Sequence, residues 1–194
     1  SPDIVLADAN TNYRLSFGYH MYGATMGGLK AFVNTPANIT AATYAIDVTA
    51  SSNADYTLNG TDRNGSVSGD DPALAVYVGD VLDFTINSGI MHPFVIDSFG
   101  TSGTSPVVGV TNNSATSGTV SWSPAAAGTY YYICASHPNM VGTITVTAPP
   151  STVSTEVFDE SGEQQTTTSA PFLDTIIDLS SFAGQSISVT FEAT

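Results

Sequence analysis

Cysteine, histidine and methionine recur at three-residue intervals in Cys134-Ala-Ser-His137-Pro-Asn-Met140, between the β-prone runs Gly128 to Ile133 and Val141 to Val146. A thiolate, an imidazole and a thioether can converge on one metal only if the chain folds back sharply, and a loop between two strands supplies that bend. His92, in Gly-Ile-Met-His-Pro-Phe-Val-Ile, ends one apolar run and begins another, so it can face the loop from a neighbouring strand. Two imidazoles and a thiolate in a trigonal plane, with a weak axial thioether, form the blue-copper arrangement used for electron transfer. Taken singly, Cys134 would be a small buried hydrophobe, His137 a surface loop residue, Met140 a gap-filler and His92 a strand-end residue. The set carries more weight, because the chain has one cysteine and three histidines and two of those histidines fall at these places. Zinc is served less well, since structural zinc takes four Cys or His ligands and a thioether suits Cu(I) better. A Cys-His nucleophile would need a third orienting group and a substrate cleft, and the sequence marks neither.

The elements that must position these residues read as strands throughout. Period-two alternation sends Tyr130, Tyr132 and Cys134 to one face of their strand and Tyr131 and Ile133 to the other. No segment reads as a helix. Ser, Thr, Asn and Gly fill the polar positions, which suits strand surfaces and turns, and only 10% of residues are charged against a usual figure of about 25%. A chain of 194 residues can hold one large or two small cores.

The segment Gly79 to Thr147 resembles a cupredoxin. The likeness rests on Val-Gly-Asp-Val-Leu-Asp-Phe before His92, Gly-Thr-Val-Ser-Trp-Ser-Pro before the last strands, and Gly-Thr-Tyr-Tyr-Tyr-Ile-Cys ahead of the loop. With the leading strands it covers residues 42–148, and the Cys-x-x-His-x-x-Met spacing is similar to the amicyanin-like class. The resemblance implies a Greek-key β-sandwich, one type 1 copper per chain held by His92, Cys134, His137 and Met140, and electron transfer to a redox partner protein. The pattern departs at Pro93, which follows the first His ligand where the family commonly has Asn, and which has no N–H to donate.

The flanks tell a second story. Residues 1–35 read as three strands joined by turns, and three more follow Ala148-Pro149-Pro150, a candidate boundary. Leu15-Ser-Phe-Gly-Tyr-His-Met-Tyr-Gly23 with Gly28-Leu-Lys-Ala-Phe-Val33, then Phe158-Asp-Glu-Ser-Gly-Glu163 and Ile177 to Ala193, resemble blocks of a MAM domain, an extracellular jelly-roll module. Two departures are Gly18, where Trp is usual, and Tyr13-Arg14, where animal members often have Cys. His20 falls in the MAM-like block, and on that resemblance it is structural. The expected architecture is all-β: a cupredoxin domain, 42–148, inserted into a discontinuous MAM-like sandwich of 1–41 plus 149–194. The strands expected before Ser1 and after Thr194 are missing from the likeness, so self-association or strand completion by another chain is expected.

Charge narrows the partners. The net charge of −14, with Arg14, Lys30 and Arg63 as the cations, argues against nucleic acid and favours a partner with a cationic docking surface. No apolar run reaches the roughly 18 residues of a membrane span. Ser1 opens into a β-run, so an export signal is expected to have been removed or never included. The location implied is extracellular, cell-surface or periplasmic. Asn38, Asn59, Asn64 and Asn112 head N-x-Ser/Thr sequons, a short pattern that arises by chance in a chain so rich in Ser and Thr. The leading functional expectation is a non-enzymatic electron carrier. A structural or adhesive surface protein carrying a copper domain is the rival, and copper-dependent redox catalysis ranks third.

Overall fold

The computed structural model describes residues 3–23, 25, 27–101 and 105–194. Ser1, read as opening the first β-run, lies outside them, as do Ala24 and Met26 in the turn-rich stretch before Gly28. Among the described residues the strands run β1 (Ile4–Val5), β2 (Arg14–Tyr19), β3 (Gly28–Pro36), β4 (Thr43–Thr49), β5 (Thr57–Asp62), β6 (Gly65–Asp70), β7 (Leu74–Tyr77), β8 (Val81–Asn87), β9 (Phe94–Asp97), β10 (Ser117–Trp122), β11 (Gly128–Cys134), β12 (Val141–Thr147), β13 (Thr152–Ser161), β14 (Leu173–Asp178) and β15 (Ser186–Ala193). A single 3₁₀ turn at Ser180–Phe182 is the one helical element among them, and no helix is long and apolar enough to cross a membrane. The protein is thus all-β. The chain divides into two compact units, one made of Ser1–Asn38 and Pro150–Thr194, the other of Ile39–Pro149.

In the unit Ile39–Pro149, one sheet has the order β10-β8-β4-β5-β6 and the other β7-β12-β11-β9. Parallel pairs β4–β8 and β7–β12 mix with antiparallel neighbours. Alternation explains why the sheets face each other: Ile46 and Val48 on β4, and Leu82, Phe84 and Ile86 on β8, point inward while the residues between them are more exposed. They meet Leu74, Val76, Phe94, Ile96, Tyr132, Cys134, Ile144 and Val146 from the second sheet in one core, with Trp122 closing it. Each such side chain contributes on the order of 1.5–3 kcal/mol of burial. Tyr130 packs against this core and Tyr132 and Cys134 lie within it, whereas Tyr131 and Ile133 do not, as alternation along β11 requires.

One buried ion pair ties the loops of this unit. The Asp80 carboxylate is wholly buried and accepts from the Arg63 guanidinium, from the Ala42 N–H at 2.9 Å and from the Tyr77 N–H at 2.7 Å. Arg63 also lies 4.5 Å from the centre of the Tyr77 ring.

In the other unit, a sheet of order β1-β15-β3-β13 accompanies the pair β14-β2. The core is small: Leu6, Val33, Leu179, Ile187 and Val189. Phe17 meets Phe158 and Phe191 edge-on at 5.2 and 4.9 Å, and Tyr19 meets Phe158 at 5.3 Å. Lys30 on β3 bridges Glu156 and Asp159 on β13, a surface contact of small energetic weight.

Burial alone would raise the Asp80 pKa, but the Arg63 guanidinium and the two amides outweigh it and hold the carboxyl below its ordinary value. A lowered folded value means that this stability is present above the unfolded carboxylate range and is lost as pH falls through the folded one. Asp80→Ala strands Arg63 and two amides, so it is expected to cost about 3–5 kcal/mol in denaturant unfolding and to flatten the acid limb of the stability curve.

Candidate metal centre

His92 sits in the connection from β8 to β9. Gly89, at φ +81°, allows the chain to turn there, and the His92 N–H donates to the Gly89 carbonyl at 3.0 Å. Two hydroxyls converge on the His92 carbonyl: Ser88 Oγ at 2.8 Å and Tyr56 Oη at 3.1 Å. The next carbonyl, that of Pro93, accepts from the Ala135 N–H at 3.1 Å. Pro93 cannot donate a backbone hydrogen bond, yet its oxygen still ties this connection to the loop that follows β11.

Cys134 ends β11 opposite Phe94 of β9. Its N–H donates to the Met140 carbonyl at 3.0 Å, and the Met140 N–H donates to the His137 carbonyl at 3.2 Å. These bonds close the loop so that β12 begins at Val141, paired with Ile133. Tyr132, two residues before the cysteine, crosses β12 at Gly142. A Cβ there would fall 2.0 Å from the Tyr132 ring, so only glycine admits it. The ring stacks on Phe94 at 5.6 Å, and its hydroxyl donates to the Pro72 carbonyl at 2.7 Å.

This scaffold brings three of the expected donors together. His92, Cys134 and His137 offer ligand atoms that all lie within 4.8 Å of one another. Cys134 Sγ is 3.5 Å from His137 Nδ1, and the two imidazole rings are 4.8 Å apart at 39°. Cys134 is fully buried, His92 is 9% exposed and His137 is half-buried. The fourth expected residue, Met140, is fully buried in the same core cluster as Cys134. His20 lies outside the group: it belongs to the other unit, where its ring faces Phe172 at 5.6 Å.

The donor chemistry suits copper. His92 Nδ1 is buried and has no hydrogen-bond partner among the described residues, which is costly for a polar atom unless a ligand takes its lone pair. A thiolate and two imidazoles suit copper, and the fourth Cys or His that structural zinc would need is not grouped with them among the described residues. Sequence reasoning missed Tyr56 and Ser88. Neither carries a motif, and their role follows from the fold alone.

The class defined here is an all-β protein with a His-Cys-His group, its cysteine fully buried, able to hold one metal ion. No family model and no curated protein matches the chain. Among solved structures it is similar to rusticyanin from Thiobacillus ferrooxidans, with 22% identity over 59% of this chain and 87% of that one and a TM-score of 0.37. Reduced rusticyanin gives 23% identity over 56% and 82%, with a TM-score of 0.36. A mutant fern plastocyanin gives 22% over 53% and 99%, with a TM-score of 0.30.

Burial, and secondarily the neighbouring His137, hold the His92 pKa below its ordinary value of 6.5. The unfolded chain therefore binds this proton more readily than the folded one, and stability is lost as pH falls below 6.5. Metal-free protein is expected to lose denaturant stability over that range, and His92→Leu is expected to reduce the slope.

Proposed function

We propose that residues 39–149 form a type 1 copper domain of the cupredoxin kind, and that the protein is an electron carrier. The supporting observation is the convergence of the unpartnered His92 Nδ1 with Cys134 Sγ and the His137 ring at the end of a buried core that includes Cys134. Met140, buried where the loop closes, is proposed as the weak axial donor. Copper bound there would supply a one-electron Cu(II)/Cu(I) couple. Around it, the backbone bonds of the two loops hold the donors in place, burial keeps the His92 imidazole neutral, and the half-buried His137 gives the site an edge towards solvent beside exposed Ser136, Pro138 and Asn139. With four side chains committed to the metal, no position is left for a substrate, which favours a carrier over a catalyst.

The redox partner would meet an uncharged surface. No Asp, Glu, Lys or Arg occurs from Ser98 to Thr155, and next to His92 stand Ile90 and Met91, 85% and 63% exposed. The acidic residues lie elsewhere in the sequence and supply the long-range field that steers a cationic partner. An exported location, periplasmic, extracellular or at the cell surface, agrees with the low charge content.

Protein loaded with Cu(II) is expected to show an intense thiolate-to-copper absorption in the visible. Cys134→Ser is expected to abolish it, and Met140→Gln to keep the colour while shifting the reduction potential, because the axial ligand tunes it. A colourless protein that retains zinc would overturn the reading.

The flanking unit is proposed as a partial, MAM-like jelly roll that assembles with further strands. Among the described residues β13 pairs with β3 alone and β2 with β14 alone, and Phe172, Ile176 and Phe191 are 67%, 65% and 49% exposed. Unpaired edges beside apolar side chains recruit strands from other chains. Light scattering is expected to show oligomers that grow with concentration. A strictly monomeric protein would remove the adhesive or scaffolding role and leave the carrier.

A further inference from the structure

The His92 carbonyl accepts two buried hydroxyls, Ser88 Oγ at 2.8 Å and Tyr56 Oη at 3.1 Å, one from the start of its own loop and the other from the residue just before β5. Tyr56 is well placed to be rigid. It is fully buried, and its ring meets Phe94 edge-on at 5.2 Å, while Phe94 is the strand partner of Cys134. Its main chain is pinned as well: the Tyr56 N–H donates to Asp71 Oδ1 at 3.0 Å, and the Asp71 N–H donates back to the Tyr56 carbonyl at 2.8 Å. The peptide that follows His92 is held at its other end by the Ala135 N–H on the Pro93 carbonyl. The ligand's backbone is therefore fixed on every side by groups that do not depend on a metal.

We propose that Tyr56 and Ser88 form a two-hydroxyl clamp that sets the His92 imidazole before metal enters, making Tyr56 a positioning residue of the metal centre. The proposal rests on the metal-site reading above for what the clamp serves, but not for its existence. Both hydroxyls act on a single oxygen, so removing either leaves the carbonyl with the other but frees the loop to rotate. A ligand held in this way resists rearrangement when the charge on the metal changes, which lowers the cost of each electron transfer.

The full chain tests this with Tyr56→Phe, which removes the hydroxyl and keeps the ring, and with Ser88→Ala, which carries the same test without touching the aromatic core. In metal-free protein, amide exchange at His92 and Ala135 is expected to rise about tenfold in either variant, while Ile46 and Phe84 in the β4–β8 pair keep wild-type rates. Ser88→Thr, which retains a hydroxyl, is expected to restore slow exchange. In copper-loaded protein the same variants are expected to shift the reduction potential and the electron-spin-resonance hyperfine splitting. Unchanged exchange, or an equal rise at all four amides, overturns the clamp. Local loosening with an unchanged potential and hyperfine splitting overturns its positioning role. A wild-type protein with no thiolate-to-copper absorption overturns the copper reading instead, and the metal-free exchange data still decide whether the clamp exists.

Discussion

A single hydrogen bond, from the Ala135 amide to the Pro93 carbonyl, joins the two loops on which the site depends. Each loop has further bonds of its own, the Tyr56 and Ser88 hydroxyls on the His92 carbonyl in one and the Met140 N–H on the His137 carbonyl in the other, but this bond runs directly between them. With it, a buried sulfur and a buried imidazole nitrogen from distant parts of the chain stay within 4.8 Å of each other. Desolvating such groups is unfavourable unless something compensates, so the surrounding core must be stable enough to hold them. The fully buried ring of Phe94, between Tyr56 on one side and Tyr132 on the other, supplies much of that rigidity.

Charge is used sparingly, since only 10% of residues are charged. The cationic Arg63 is spent on Asp80, where it fastens the turn between β5 and β6 to the β7–β8 connection. Asp62 performs a related task, accepting from the Asn64 and Ala75 amides at 2.7 and 2.8 Å. Carboxylates thus close turns, and the ligand loop itself falls in a stretch of sequence, Ser98 to Thr155, that has no charged residue. Among the acidic residues, Asp62, Asp80 and Asp97 are buried, and each accepts two backbone amides.

The unit formed by the two chain ends shows a different balance. Its buried core is small and its aromatic side chains lie partly in solvent, so more of its stability comes from strand pairing than from a closed interior. Both chain ends contribute strands to one sheet, with β15 beside β3 and β13 on its other side. That arrangement depends on pairings across most of the chain's length, such as Ser188 with Asn34.

The strand character of the chain and the local loop chemistry were legible in the sequence. Alternation decides which side chains of β11 enter the core, and the spacing from Cys134 to His137 and Met140 is local, so a tight loop brings it about whatever the rest of the fold. His92 could be picked out because histidines are few. Tyr56, Ser88 and Arg63 could not, since nothing in their local sequence sets them apart, and although Asp80 stands in the Val-Gly-Asp-Val-Leu-Asp-Phe block, its pairing with Arg63 was not legible. Tyr56, just before β5, reaches the carbonyl of His92 in the β8–β9 connection because the two sheets share one core, and strand order is fixed by long-range packing rather than by period. The sequence by itself determined which atoms are available to bind a metal and which faces of the strands are apolar. Only the tertiary structure decided how the imidazole and sulfur are held, because hydrogen bonds between residues far apart in sequence form only once the two sheets have closed on each other.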